Sequence, residues 1–390
     1  MCLKNISAIL LLTVASYHIQ AQSFIQAYQN RANMVSQSNV TTNLQEFGNL
    51  GIKTTGSTAN TNTLNWLKNK YTSFGYSASQ IVEDPFTFGS TSSKNLVITK
   101  SGTVYPNTYV IICGHFDTIN GPGVNDNGSG TSTILEAARI LKDIPTEYSI
   151  KFIHFSGEEQ GLHGSTHFAN NIAYSNGVRQ MNIRLVFNLD QVGGRIGNIN
   201  NTIKCESDQS GLSSNNAASL AMTQQLATCT TLYSSLLTNM SNAYSSDYVP
   251  FEQKGEIITG FYENTASNVE HTNLDTFANV DPNYVYNVGK AAVGALQHFA
   301  VATQTLGVAE NKNDIDEFVK IYPNPAKDVL NIKISDKNKD FQFELIDMLG
   351  HVLLKEENKT QISVSQFPKG IYFGTFKIND KNISKKIIIE

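Results

Sequence analysis

Hydrophobic and polar positions follow two textures along this chain. Between about residues 95 and 303, short apolar runs alternate with segments whose apolar residues recur three and four apart. The runs at 95–99, 108–113, 148–155, 183–189 and 256–262 read as strands, and the segments at 129–141, 165–172, 217–236 and 284–303 read as helices. In 129–141, Ile134, Ala137, Ala138 and Leu141 share one face. Two more helices are expected ahead of this block, over 24–40 and 60–74. In the second, Leu64, Trp66, Leu67, Tyr71 and Phe74 repeat at helical spacing before Gly75. Several strands, such as Tyr109-Val110-Ile111-Ile112, are apolar at consecutive positions, as strands covered on both faces are. The pattern predicts an α/β domain with a mostly parallel central sheet flanked by helices.

Past residue 316 the texture changes to short alternating stretches such as Leu330-Asn331-Ile332-Lys333-Ile334. More runs follow at 341–345, 352–354, 361–364, 371–376 and 383–389, separated by Gly, Asn, Asp and Pro. Evenly spaced short strands of this kind predict a small all-β sandwich. At the other end, Lys4 precedes an apolar stretch over 6–16 and a small residue at Ala21, the layout of a secretory signal peptide. That stretch falls short of the roughly 20 residues that span a bilayer, so no stable membrane span is expected. The expected organisation is a signal peptide at 1–21, an α/β domain at 22–306, a polar linker at 307–316 and a β-sandwich at 317–390.

Composition narrows the function classes. With 390 residues, 40% hydrophobic and 16% charged, the chain reads as folded and not disordered. A formal net charge of −4 excludes the strongly basic face of a general nucleic-acid binder. Of four cysteines, Cys2 leaves with the signal peptide and Cys113 falls inside an apolar strand as a buried thiol. Cys205 and Cys229 remain, either as a disulfide in an oxidising compartment or as two thiols. No Cys-x-x-Cys is present, so a thiolate zinc site is not indicated.

In open α/β sheets ligands bind beyond the carboxyl ends of the strands. His115, Asp117 and Asp126 follow the strand at 108–113, Glu158 and Glu159 follow 148–155, Asp190 follows 183–189, and His271 follows 256–262 after a short loop. Histidines and carboxylates without thiolate suit zinc, or manganese or cobalt. Two divalent ions would be neutralised by Asp126, Glu159 and Asp190 with one hydroxide, whereas that many buried carboxylates unpaired would be costly. Such a pair of ions polarises a carbonyl and lowers the pKa of a shared water. Asp126, on a glycine-rich loop, is placed to serve both. Adjacent residues at a strand end diverge, so Glu159 can ligate while Glu158 acts as general base. Asp117, two residues after His115, can accept the imidazole N–H and fix its tautomer. The blander readings are a surface pair for His115 and Asp117, and turn chemistry for the loop. Elsewhere His154 reads as a packed core histidine, His163 and His167 as structural or solvent-facing, and His298 as a surface position of the last helix.

The ordered set His115-Phe116-Asp117, Val124-Asn125-Asp126-Asn127-Gly128-Ser129-Gly130, Ser156-Gly157-Glu158-Glu159-Gln160-Gly161, Asn188-Leu189-Asp190 and His271-Thr272-Asn273-Leu274-Asp275-Thr276 resembles the co-catalytic zinc aminopeptidases of the M28 metallopeptidase family. The resemblance implies two zinc ions per chain. His115 and Asp190 would hold one, Glu159 and His271 the other, with Asp126 bridging and Glu158 as general base. It implies peptide or protein substrates with a free N-terminus. Ser246-Asp247-Tyr248-Val249-Pro250-Phe251 resembles the family's pocket-lining segment, which makes Asp247 and Phe251 candidate substrate contacts. One departure is Glu270, where many members carry a tyrosine that helps polarise the carbonyl. Ile321-Tyr322-Pro323-Asn324-Pro325, Asp347-Met348-Leu349-Gly350, Pro368-Lys369-Gly370-Ile371-Tyr372 and the final Ser384-Lys385-Lys386-Ile387-Ile388 resemble the sorting tail read by the type IX secretion machinery. That implies export across both membranes, to the medium or the cell surface. The rival functions are a glutaminyl-cyclase-like acyltransferase, a carboxypeptidase of the same superfamily and a non-catalytic surface binding module.

Overall fold

The computed structural model describes residues 23–209, 213–304, 319–334, 340–347, 352–378 and 381–390. The expected signal peptide, the linker 307–316 and positions 348–350 of the tail motif lie outside them. The chain divides into two compact units, Met1–Thr305 and Leu306–Glu390.

Three helices open the first unit: α1 (Gln26–Ala32), α2 (Gln37–Asn49) and α3 (Thr58–Ser73). The single helix expected over 24–40 is thus two. Ser36 accepts a hydrogen bond from Asn39 N at 3.2 Å and starts α2 afresh, satisfying a donor that a continuous helix would spend on its own ladder. The central sheet then uses β1 (Ile81–Phe88), β2 (Thr91–Lys100), β3 (Tyr105–His115) and β4 (Tyr148–Phe155), with α4 (Gly128–Leu141) crossing from β3 to β4. Next comes α5 (His163–His167), which runs into a π-helical turn over Phe168–Ala173 where one helix over 165–172 was expected. A short hairpin, β5 (Tyr174–Ser175) and β6 (Val178–Arg179), leads into β7 (Asn182–Leu189). The rest of the unit is β8 (Thr202–Ser207), α6 (Asn216–Tyr233), β9 (Leu237–Asn242), α7 (Val249–Glu252), β10 (Ile258–Glu263) and α8 (Pro282–Phe299).

The eight strands lie in the order β1-β2-β4-β3-β7-β10-β8-β9. At the centre β4, β3, β7 and β10 are mutually parallel. Antiparallel pairings add β2 and β1 at one side and β8 at the other, and β9 runs parallel to β8. Alternate residues of the central strands feed two apolar clusters. Val110, Ile112, Phe152, Leu185 and Phe187 face the larger one under α4 and α8, while Ile111, Cys113, Ile153, Phe155 and Val186 face the other. Two covered faces explain the continuous apolar runs, and each fully buried aliphatic side chain contributes roughly 1.5–3 kcal/mol.

One sequence expectation is corrected here and one open alternative is resolved. His298 is buried, because α8 packs against α1 and α6; its Nε2 lies 2.7 Å from the Tyr233 hydroxyl. Cys205 and Cys229, on β8 and α6, are buried free thiols and form no disulfide. No helix of the described residues is long and apolar enough to cross a membrane.

The second unit holds two antiparallel sheets. One is β11 (Val319–Tyr322), β12 (Val329–Ile334) and β15 (Gln361–Ser363); the other is ordered β14 (Val352–Glu357), β13 (Phe341–Ile346), β16 (Gly370–Ile378) and β17 (Lys381–Ile389). Leu330 and Ile332 from one sheet meet Phe343, Leu345 and Phe376 from the other in a single apolar cluster, the arrangement of a sandwich.

Candidate metal centre

The parallel centre of the sheet aims four chain segments at one edge. β3 ends on His115, β4 is followed by Glu158 and Glu159, β7 by Asp190, and β10 leads into the loop that carries His271. Asp126 stands just ahead of α4, where Asn127 accepts from Gly130 N at 2.9 Å and caps the helix. The small residues of this loop have a packing cause. A Cβ on Gly114 or on Gly130 would come within 2.5 Å of the Leu189 carbonyl oxygen. Without those side chains the start of α4 can close on the end of β7, and Asp126 reaches Asp190's surroundings.

The donor atoms fall into two groups about Asp126. His115 Nε2 lies 3.1 Å from Asp126 Oδ1 and 3.2 Å from Asp190 Oδ1. His271 Nε2 lies 3.1 Å from Asp126 Oδ2 and 2.8 Å from Glu159 Oε2. Each oxygen of one carboxylate therefore faces a different histidine–carboxylate pair. Glu158 Oε2 stands further off, at 4.0 Å from His115 Nε2. His271 is half exposed and adopts a left-handed backbone (φ 55°), and so does Gln191 (φ 48°); such conformations cost a few kcal/mol at most and gather at functional sites.

Neighbouring groups orient the donors. His115 Nδ1 lies 3.1 Å from the main-chain oxygen of Asp117 and 3.8 Å from its carboxylate. A carbonyl only accepts, so Nδ1 carries a proton and Nε2 is the nitrogen that would ligate. With no ion beside it, burial is outweighed by the Asp190, Glu158 and Asp126 carboxylates, which raise the ring's pKa and favour a proton on Nε2 too. The Asp117 carboxylate was expected in that place. It is engaged instead by the main-chain N–H groups of Glu158 and Glu159 at 3.3 and 3.2 Å and by the Thr55 hydroxyl at 3.1 Å, so it fixes the turn that carries both glutamates. Two residues that sequence reasoning passed over also touch the donors, and a third backs one of these two. The Ser246 hydroxyl donates to Asp190 Oδ2 at 2.7 Å, Asn188 Nδ2 donates to that same hydroxyl at 2.8 Å, and Gln191 Nε2 donates to Asp126 Oδ2 at 3.2 Å.

Electrostatically the cluster is overloaded with carboxylates. Burial lifts Glu158 to about 10, with Asp190, Asp247 and Asp117 adding to it against His115. Burial and then Asp126 lift Glu159 to about 8. Burial would raise Asp126 as well, but hydrogen bonds to His115 and His271 bring it down to about 2. The Asp126 hydrogen bond, opposed by burial, lifts His271 to about 9. Glu159 Oε1 is buried without a hydrogen-bond partner. Of the described residues, His115, Asp126 and Glu159 form the one group of three or more His, Cys, Asp or Glu side chains close enough to share an ion.

Residues 95–296 match the profile of Peptidase family M28, and residues 320–390 match that of the secretion system C-terminal sorting domain. The chain belongs to peptidase family M28. Aminopeptidase YwaD of Bacillus subtilis is 33% identical to the M28 chain over 174 residues, which is 43% of this chain and 35% of YwaD. The match thus spans about a third of that relative's length. In fold, the chain resembles the LapA aminopeptidase of Legionella pneumophila (TM-score 0.61, 20% identity, 76% of this chain and 80% of LapA). It also resembles the glutaminyl cyclase of Fimbriiglobus ruber (TM-score 0.56, 16% identity, 68% of this chain and 95% of that one).

Within the M28 domain, Asp247 and Phe251 are both fully buried. Phe251 packs in the apolar cluster with Phe155 and Phe168, and so lies in the core and not on an open wall. Burial holds Asp247 up at about 7, and it adds to the negative surroundings of Glu158. Glu270 is half-buried and accepts from the Ser267 hydroxyl at 3.3 Å.

Proposed function

We propose that this chain is an exported, binuclear zinc aminopeptidase. The observation that carries the reading is the division of Asp126, with one oxygen toward His115 and Asp190 and the other toward His271 and Glu159. The donor set fits two zinc ions. Ligands about 2.0–2.2 Å from a tetrahedral ion stand roughly 3.4 Å apart, close to these spacings, and the orphaned Glu159 oxygen and the raised carboxyls are what a cation offsets. When bound, such a pair polarises the scissile carbonyl and makes water a nucleophile at neutral pH.

The chain's own residues supply the rest. Glu158, off the donor groups but beside them, takes a proton from the attacking water as its oxygen bonds to the carbonyl carbon. It returns that proton to the amine nitrogen as the C–N bond breaks. Asp117 holds the turn from which Glu158 reaches in, and its main-chain oxygen holds His115 in the ligating tautomer. The similar Bacillus subtilis protein is an aminopeptidase. That supports an aminopeptidase over a carboxypeptidase. The tail profile supports delivery by the type IX machinery to the outside of the cell.

The test is zinc content with activity on amino-acid p-nitroanilides. About two zinc per chain are expected in the parent and in Glu158→Gln, with the variant's kcat lower by roughly 10²–10⁴. A parent that binds one zinc and cyclises an N-terminal glutamine peptide, or one that releases no nitroaniline, sinks the reading.

A further inference from the structure

Asp126 lies in an irregular stretch, Gly121 to Asn127, ahead of α4, yet both its oxygens must be held against two histidines. One side chain takes two consecutive main-chain amides of that stretch. Asp275 is buried; its Oδ1 accepts from Asn125 N at 2.6 Å and its Oδ2 from Asp126 N at 2.9 Å. Its main-chain oxygen accepts from Val124 N at 3.3 Å, so three consecutive amides end on one residue. Asp275 comes four residues after His271 and donates its own N–H to Thr272 O at 3.2 Å. The grip therefore ties the Asp126 loop to the segment that carries His271.

Beneath it is a fully buried cation. Lys53 Nζ donates to Gly51 O and to Pro122 O, each at 2.7 Å, and sits 3.9 Å from the centroid of the Phe47 ring. Pro122 belongs to the same stretch. The Lys53 main chain is laced to the end of β3's loop as well, its N donating to Thr118 Oγ1 at 2.9 Å and its O accepting from Thr118 N. Burial drives the ammonium down to about 7, and the nearby Asp275 charge works against that fall. A buried ammonium is tolerated where carbonyls, a ring face and an opposite charge replace water.

We propose that Lys53 and Asp275 act together as positioning residues for the candidate centre: they hold the Asn125–Asp126 peptide in place and so set where the Asp126 carboxylate stands. The proposal rests on the reading of Asp126 as a shared ligand. Groups that orient ligands in this way are worth about 10–100-fold in metal affinity. In Asp275→Asn only one oxygen remains to face two N–H groups; in Lys53→Met the chain length is kept and the charge and both donations are lost.

The first measurement is amide hydrogen exchange on the metal-free full chain. The Asn125 and Asp126 amides of the parent should be strongly protected. In Asp275→Asn they should exchange at least tenfold faster while amides of β3 and α6 keep their rates. Zinc affinity, read by competition with a chromophoric chelator, should fall about 10–100-fold in that variant and also in Lys53→Met. Rapid exchange of these two amides in the parent overturns the proposal. So do unchanged exchange and zinc affinity within twofold of the parent in either folded variant. If Asp275→Asn does not fold, Lys53→Met and the parent's exchange rates decide alone. A parent that binds no zinc overturns the metal reading, whereas the exchange rates judge the clamp itself.

Discussion

Glu206 on β8 is buried and receives the Tyr248 hydroxyl at 2.7 Å on Oε2. Burial raises its carboxyl to about 8; the Tyr248 hydrogen bond opposes the rise and Asp190 adds to it. A raised acid binds its proton more tightly folded than unfolded. Its contribution to stability is complete below the unfolded pKa near 4.5 and is lost as pH climbs through about 8. Glu206→Gln keeps the shape and cannot ionise. Its melting temperature relative to the parent should therefore rise between pH 6 and pH 9, by a few degrees, in parallel thermal scans; a constant difference would mean Glu206 does not titrate there. Tyr71 offers a test without charge. Its hydroxyl lies 2.9 Å from Nε2 of buried His154, whose Nδ1 has no partner. Tyr71→Phe leaves both imidazole nitrogens unsatisfied and should cost about 1–3 kcal/mol in denaturant unfolding. At this scale the sequence was most informative about the donors. His115, Glu159, Asp190 and His271 each follow a strand of the parallel centre, so their convergence can be read from strand ends alone. Thr55, Gln191 and Ser246 act through contacts between segments distant in sequence, which no spacing encodes. The Asp117 carboxylate was misjudged because i, i+2 spacing places it near His115 but says nothing of the Glu158–Glu159 amides that claim it.

At the scale of elements, α8 shows how an end is built. Asp281 Oδ1 accepts from Asn283 N at 3.0 Å and Tyr284 N at 3.3 Å, Pro282 supplies the first turn, and Asp281 Oδ2 accepts from Asn200 Nδ2 at 2.9 Å. Asp281→Ala should cost about 1 kcal/mol, or roughly 2–4 °C in melting temperature, with zinc affinity unchanged. An unchanged melting temperature would show that water replaces the cap. The same capping chemistry marks where pattern reading worked. Helices with a wide apolar stripe and strands buried on both faces were legible to within a few residues, and β4 spans 148–155 as expected. The strands missed are those with little apolar signal. β1 contains Glu83, Asp84 and Pro85, tolerable because it is an edge strand; β9 is the other edge and mostly exposed; β8 reads Thr-Ile-Lys-Cys-Glu-Ser. The break between α1 and α2 was illegible for a different reason, since Ser36 caps α2 through local chemistry that apolar periodicity does not register.

For the whole molecule, the apolar clusters are partitioned as cleanly as the chemistry. The two clusters of the first unit draw on residues up to Ala302, and that of the second draws on Val319 to Ile389. Every candidate donor, and each residue that orients one, belongs to the first unit. A domain folds on the apolar surface it buries itself. A chain ending within 307–316 should therefore keep the parent's zinc affinity and its kcat/KM on p-nitroanilides within about twofold. Calorimetry of the full chain should show two transitions, and the shortened chain should keep only the one assigned to the first unit, at an unchanged temperature. What it should lose is export, because the sorting profile covers 320–390 and nothing else. Fusing 317–390 behind an unrelated folded carrier that bears a signal peptide should restore export in a cell with the type IX machinery. A shortened chain that fails to bind zinc, or that melts markedly lower, would mean the second unit supports the centre's fold, and the division of labour between catalysis and delivery would have to be abandoned.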